Sequence, residues 1–175
     1  VMIRIATPED LPALRALMDR AIAELQRDFL SDAEIVASRT VMGLDTQLIA
    51  DGTYVVAELD GGIAGCGGWS RRATLYGGDH SVALRDAALL DPGRDAARIR
   101  AMYTDPAYTR RGVGRAILAH CEAAARAEGF TRAEMMATLA GVPLYAACGY
   151  AVIERTASAP AGGVAVPLVR MGKPL

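Results

Sequence analysis

Apolar and polar residues alternate in Met2-Ile3-Arg4-Ile5, which predicts a short opening strand. The period then lengthens: Leu11, Leu14, Met18, Ala21, Leu25 and Phe29 fall on one helical face. Thr7 as N-cap, Pro8 at the first helical position and acidic Glu9 and Asp10 mark where that helix starts. Ser31-Asp32-Ala33-Glu34 is a capping box and predicts a second helix running to about Gly43. Residues 53–59 and 62–72 read as strands joined at Asp60-Gly61, a hairpin turn pair. From 73 to 97 no period is sustained, and Gly77-Gly78 and Asp91-Pro92-Gly93 interrupt the chain. This predicts a long loop with at most one helical turn near 82–90, of a length more often functional than idle.

Residues 98–104 form the next strand, ended by Asp105-Pro106. The helix after Gly112 places Val113, Ile117, Cys121 and Ala124 on one side. Arg115, Ala119, Glu122 and Arg126 lie on the other, with Glu122 and Arg126 spaced to pair and His120 flanking the buried face. Gly129 ends this helix; residues 131–137 read as a strand, 141–148 as a short helix, and 150–155 and 164–171 as strands. The order β-α-α-β-β-(loop)-β-α-β-α-β-β specifies an α/β fold with a mixed sheet, in one domain over 1–175 without repeats or linkers.

Composition narrows the function. A chain of 175 residues that is 52% hydrophobic can bury roughly two thirds of its unfolded surface. With one Trp and two Phe, its core must be built from Ala, Val, Leu, Ile and Met. A net charge of −1 argues against a general nucleic-acid or anionic-membrane binder. The arginines outnumber the single lysine, Lys173, in the manner of codon bias rather than function. Cys66, Cys121 and Cys148 are odd in number and lack C-x-x-C spacing, so neither a disulfide framework nor a metal site is expected. With no signal peptide or membrane-length apolar run, a cytoplasmic protein is expected.

Basic charge is local, and it gathers in Tyr108-Thr109-Arg110-Arg111-Gly112-Val113-Gly114-Arg115. The glycines let successive N–H groups converge, and the following helix adds unsatisfied donors and its positive dipole end. Such a turn receives an anion, best a phosphate or pyrophosphate. A P-loop would need Lys and Ser/Thr after the glycines, where Arg115 and Ala116 stand. A dinucleotide turn would need a third glycine, where Ile117 stands, and an acid at the tip of the following strand.

Downstream, Leu144-Tyr145-Ala146-Ala147-Cys148-Gly149-Tyr150 is a short helix carrying a Tyr and ending at Gly before a strand. With the turn, its helix and the strands on either side, the chain resembles the GNAT superfamily of acyl-CoA-dependent N-acyltransferases over nearly its whole length. Two positions depart from that pattern: Thr109 replaces the usual Arg or Gln, and Thr138 stands where Asn is frequent.

The resemblance implies a GNAT-like fold with two splayed parallel strands that admit acetyl-CoA. Coenzyme A pyrophosphate would sit on the N–H groups of Arg110, Arg111, Gly112, Val113, Gly114 and Arg115. The pantetheine arm would lie along Met102, Tyr103 and Thr104, with Thr138 and Tyr145 close by. An amine would attack the thioester directly, through a tetrahedral intermediate, with Met102 or Tyr103 N–H as oxyanion donor and Tyr145 O–H as acid for the sulfur.

The base is less legible. Strand alternation puts Arg98, Arg100 and Met102 on one face, and a guanidinium is no base at neutral pH. That leaves Glu134, Asp79, His80 or water, of which Glu134 is the candidate carried forward. Arg100 could fork onto an anionic group of the acceptor, or pair internally with Glu134 or another acid. Trp69 could wall the acceptor cleft or pack, and Cys148 reads as a packing thiol. The expected acceptor is a small-molecule primary amine, and a homodimer is compatible with the family. The alternatives are a non-catalytic acyl-CoA sensor or partner-binding module, and a protein-lysine acetyltransferase.

Overall fold

A computed structural model describes residues 1–175. Strand β1 (Met2–Ile5) leads through a 3₁₀ turn at Pro8–Asp10 into α1 (Leu11–Glu24), followed by α2 (Asp32–Ser38) and α3 (Thr46–Ala50). The hairpin β2 (Tyr54–Leu59) and β3 (Gly62–Ser70) precedes β4 (Ala97–Thr104) and α4 (Val113–Ala127). Strand β5 (Arg132–Thr138), α5 (Val142–Ala147), β6 (Ala151–Ala157) and β7 (Pro167–Pro174) complete the chain. One seven-stranded sheet results, ordered β1-β2-β3-β4-β5-β7-β6. Only β4 and β5 run parallel; the other neighbours are antiparallel. No helix is long and apolar enough to cross a membrane.

Each face of the sheet carries its own apolar layer. On one, Val113, Ile117, Leu118, Cys121 and Ala125 of α4 pack over Ile99, Ala133, Met135 and Ala137. On the other, Leu14, Leu17, Met18, Ala21 and Ile22 of α1 meet Leu48, Tyr54, Val56, Cys66 and Tyr103. Burying each Leu, Ile or Met side chain contributes about 1.5–3 kcal/mol, so α1 is held by its stripe rather than by its caps.

The capping box at Ser31 forms as its residues predict, with Glu34 N–H to Ser31 Oγ at 3.2 Å and Ser31 N–H to Glu34 Oε1 at 2.9 Å. Helix α2 nonetheless stops at Ser38, short of Gly43, and the unforeseen α3 is capped by Asp45, whose carboxylate accepts from Gln47 N–H at 3.0 Å. Helix α1 stops at Glu24, so Phe29 lies off its buried face and is 45% exposed. On α4 the inner face is rotated: His120 is exposed, whereas Glu122 is buried. The Glu122 carboxylate accepts from Tyr150 O–H at 2.9 Å and from Lys173 Nζ at 3.0 Å, in place of a surface pair with Arg126. Burial and this neighbouring carboxylate push the Tyr150 hydroxyl pKa up. Segment 73–97 has one helical turn, Val82–Leu84, and is tied down by Thr74 N–H to Asp86 O at 2.8 Å and Leu90 N–H to Arg71 O at 2.7 Å.

Candidate functional site

The site begins where β4 and β5 part. They pair only at Ala97–Ala133 and Arg98–Glu134, and beyond those residues the strands diverge. In β4 the register against β3 passes from Arg100 opposite Gly68 to Tyr103 opposite Cys66, so Ala101 and Met102 together face Gly67. This is a β-bulge, and Ala101 takes φ 51° to make it. The buried Tyr54 hydroxyl, on β2, donates to the Ala101 carbonyl at 2.6 Å and holds the bulge.

The bulge changes the parity of β4. Arg98 and Arg100 share a face with Tyr103, and Met102 turns to the α4 side, where a Cβ on Gly67 would overlap its thioether. The expected common face of residues 98, 100 and 102 therefore does not form. The Tyr103 hydroxyl oxygen accepts from Gly43 N–H at 2.8 Å, which ties the strand to the segment after α2.

A cavity of about 590 Å³, its open mouth included, lies in the gap. One wall is β4 from Ile99 to Tyr103; opposite stand Met135, Met136 and Thr138 of β5 with Tyr145 of α5. The rest of the lining is Val41, Met42, Gly43, Leu75, Tyr76, Gly77 and Leu168. The long loop of the sequence is thus part of the cavity wall.

At the end of β4, Asp105 caps the turn by accepting from Ala107 N–H at 3.0 Å and from Arg20 at 2.7 Å. Arg110 and Gly112 then adopt left-handed conformations, φ 60° and 79°. None of the backbone N–H groups from Arg110 to Arg115 donates to an acceptor within the protein; the first α4 bond is Ala116 N–H to Gly112 O at 3.0 Å. Together with the dipole of the 15-residue α4 they form a concave cluster of donors for an anion. The side chains of Arg110, Arg111 and Arg115 are exposed, and Arg111 reaches Asp60 at 3.0 Å while covering the Tyr108 ring. Gly114 has a different task, since a Cβ there would come within 2.6 Å of Leu144 Cδ2. Its smallness seats α5 against α4.

That contact places Tyr145. Its ring is buried, edge-to-face with Tyr150 at 6.2 Å, and its hydroxyl makes no hydrogen bond within the protein. Burial pushes the Tyr145 pKa up, so the group enters any chemistry as a proton-bearing phenol. Thr138 lines the cavity and accepts through its carbonyl from Gly141 N–H at 3.0 Å, fixing the turn into α5.

Several sequence candidates lie elsewhere or are already engaged. The Glu134 carboxylate is enclosed by three guanidiniums, Arg170, Arg98 at 3.4 Å and Arg132 at 3.8 Å, and does not line the cavity. A base role does not fit a carboxylate so occupied. Asp79 bonds Thr46 N–H at 3.0 Å, and His80 Nε2 lies 2.6 Å from Arg39 O, so both anchor loops. Trp69 is buried away from the cavity, edge-to-face with Phe130 at 5.9 Å and under Arg71; it packs. Arg100 does line the cavity, but as an internal partner: its Nη2 reaches Asp45 at 2.8 Å and Gly77 O at 2.7 Å.

Asp45 also accepts a two-pronged bond from Arg85, at 2.8 and 3.1 Å. Burial disfavours its charged form, but Arg85 and Arg100 outweigh that and hold its pKa below the usual carboxylate range. Neither Asp45 nor Tyr54 was marked by the sequence. The only signal for Asp45 is the Asx-cap spacing before Thr46-Gln47, and Tyr54 is one more apolar position of a strand whose hydroxyl gives no local sign.

A family model described as acetyltransferase (GNAT) family matches residues 16–150. Among solved structures, the chain is similar to a GCN5-related N-acetyltransferase from Rhodopseudomonas palustris, at 22% identity and TM-score 0.71 over 99% of this chain and 95% of that one. It is also similar to a ribosomal-protein-alanine N-acetyltransferase from Brucella melitensis, at 21% identity and TM-score 0.67 over 100% of both chains. A third likeness is to the PaiA N-acetyltransferase from Thermoplasma acidophilum in complex with coenzyme A, at 15% identity and TM-score 0.64 over 99% and 98%. At these identities the structures share the fold. No curated protein matches the chain in sequence.

Proposed function

The chain belongs to the GNAT acetyltransferase family, and from that premise we propose that it transfers an acetyl group from acetyl-CoA to a primary amine of a small molecule. The observation that carries this reading is the uninterrupted run of uncommitted N–H groups from Arg110 to Arg115 at the start of α4. A pyrophosphate satisfies such donors without any basic side chain, in keeping with the outward-facing arginines and with Thr109 at the first motif position. Acetyl-CoA supplies a thioester-activated acetyl group.

The remaining work belongs to the chain. The unpaired edge of β4 at Met102–Thr104 offers backbone groups to a pantetheine arm entering the gap. The Tyr103 N–H faces Cys66 of β3, so the Met102 N–H, which follows the bulge at Ala101, polarises the carbonyl; such a donor contributes about 2.7–4 kcal/mol to a transition state. Tyr145 gives its proton to the departing sulfur. The apolar lining that includes Met42, Leu75, Tyr76 and Leu168 receives the amine.

Calorimetry with coenzyme A and thiol release from acetyl-CoA over a panel of amines test the reading. Binding with turnover on at least one small amine is expected. Coenzyme A binding without turnover on any amine would instead identify a sensor, and failure to bind coenzyme A would refute the cofactor site itself.

A further inference from the structure

The wall of the cavity carries a single ionised side chain, the Arg100 guanidinium; the rest is apolar side chains, backbone, Thr138 and the phenols of Tyr76, Tyr103 and Tyr145. Arg100 is not neutralised one-to-one. Its partner Asp45 also binds Arg85, so two guanidiniums share one carboxylate behind the wall. Asp79, the next carboxylate towards Arg85, is exposed and bonded to Thr46 N–H and Oγ1 at 3.0 and 2.9 Å. The cavity therefore has a cationic, largely apolar acceptor end.

An alkylammonium entering it meets like charge and loses its hydration. It also brings a proton that must leave before the nitrogen can attack. An amine that is uncharged at neutral pH meets neither obstacle. From this arrangement we infer that the acceptors are weakly basic amines on an apolar body, such as aromatic amines, hydrazines or hydrazides, rather than alkylamines or lysine-like side chains. This rests on the acetyl-transfer reading and names its substrate class.

The balance of the reaction agrees. The nitrogen lone pair forms the C–N bond, and the C–S bond breaks with its electron pair on sulfur. The one proton that a neutral amine sheds equals the one the sulfur gains, whereas an ammonium leaves one more to be exported. Near the cavity, Asp45 is held ionised by its arginines, and burial keeps the Tyr103 and Tyr145 hydroxyls protonated. None of the three serves as a ready acceptor for that additional proton.

Phenylhydrazine and benzylamine have the same number of heavy atoms; the first is uncharged at pH 7 and the second is an ammonium. Thiol release from acetyl-CoA should show kcat/KM at least tenfold higher for phenylhydrazine at pH 7, with a flat profile from pH 6 to 9. For benzylamine it should rise about tenfold per pH unit over that range. In calorimetry with coenzyme A present, phenylhydrazine should bind at least tenfold more tightly at pH 7.

Intrinsic reactivity cancels in a variant comparison. Arg85→Gln leaves Asp45 to neutralise Arg100 alone, and should narrow the phenylhydrazine-to-benzylamine ratio threefold or more. Preference for benzylamine, a flat benzylamine profile, or a ratio unmoved by Arg85→Gln would overturn the inference while leaving acetyl transfer intact. Turnover on no amine would overturn the transfer reading and this one with it.

Discussion

Removing one oxygen atom, by Tyr54→Phe, tests whether the bulge in β4 is what aims the proposed oxyanion donor. The Ala101 carbonyl accepts from the Tyr54 hydroxyl at 2.6 Å, and Ala101 itself is held at φ 51°. A non-glycine residue in that conformation costs about 1–2 kcal/mol, which the surrounding bonds must offset. Losing a buried partner costs about 1–3 kcal/mol. For a chain of this size each kcal/mol lowers Tm by roughly 2–4 °C. The ring remains, so no cavity is added to that loss. Without the hydroxyl, Ala101 can relax towards extended backbone, which re-aims the Met102 amide that follows it. Thiol release should fall at least tenfold in kcat, on the order of the loss for a misplaced catalytic donor. Coenzyme A affinity by calorimetry should fall far less than kcat, because the donors of 110–115 belong to a separate turn and only the pantetheine contacts at Met102–Thr104 adjoin the bulge. Adding Ala101→Gly removes the φ strain and should recover part of the Tm loss but little of the rate. If Tyr54→Phe lowers Tm yet keeps kcat within twofold, the bulge does not position the donor and the argument fails.

Tyr145→Phe should lower kcat about 10–100-fold while leaving coenzyme A affinity unchanged in calorimetry, since the hydroxyl has no structural bond to lose. Gly112→Val should weaken coenzyme A binding at least tenfold through backbone strain at φ 79°, not through a clash, because a Cβ there meets no protein atom within 4 Å; Gly112→Asn, which tolerates that conformation better, should lose less. Asp45→Asn should destabilise by about 3–5 kcal/mol near neutrality, because it leaves Arg100 buried and unpaired. The Asp45 pKa is lowered in the fold, so its stabilisation is complete above about pH 4, the unfolded carboxylate value, and disappears as pH falls through the lower folded value. Denaturant titrations of both proteins should therefore converge in acid, and a constant gap down to pH 2 would refute the ion-pair account.

The elements were legible wherever a period of two or 3.6 ran long enough, and the Ser31 box and the Asp60-Gly61 hairpin formed where local chemistry put them. The anion turn was legible for the same reason: its left-handed residues and helix start are contiguous. What escaped was set by single residues or by distant pairs. One inserted residue at Ala101 inverted the parity of β4 and with it the assignment of Met102. Arg100 met Asp45 across 55 positions rather than the acid on the neighbouring strand. Glu122 read as a surface charge because Tyr150 and Lys173, which satisfy it, come from another part of the chain. A five-residue helix such as α3 is too short to show a period at all.

The contact between Gly114 and Leu144 joins the two motifs of the site into a size-compensated pair. A methyl group at 114 requires Leu144 either to turn its Cδ2 aside or to give way to a smaller side chain, so these positions should be coupled among descendants of this sequence. In a selection from random libraries, a larger residue at 114 should appear most often with a smaller one at 144. Grafting the phosphate turn onto another helix would therefore carry over the donors but not the acid, unless α5 travelled with it.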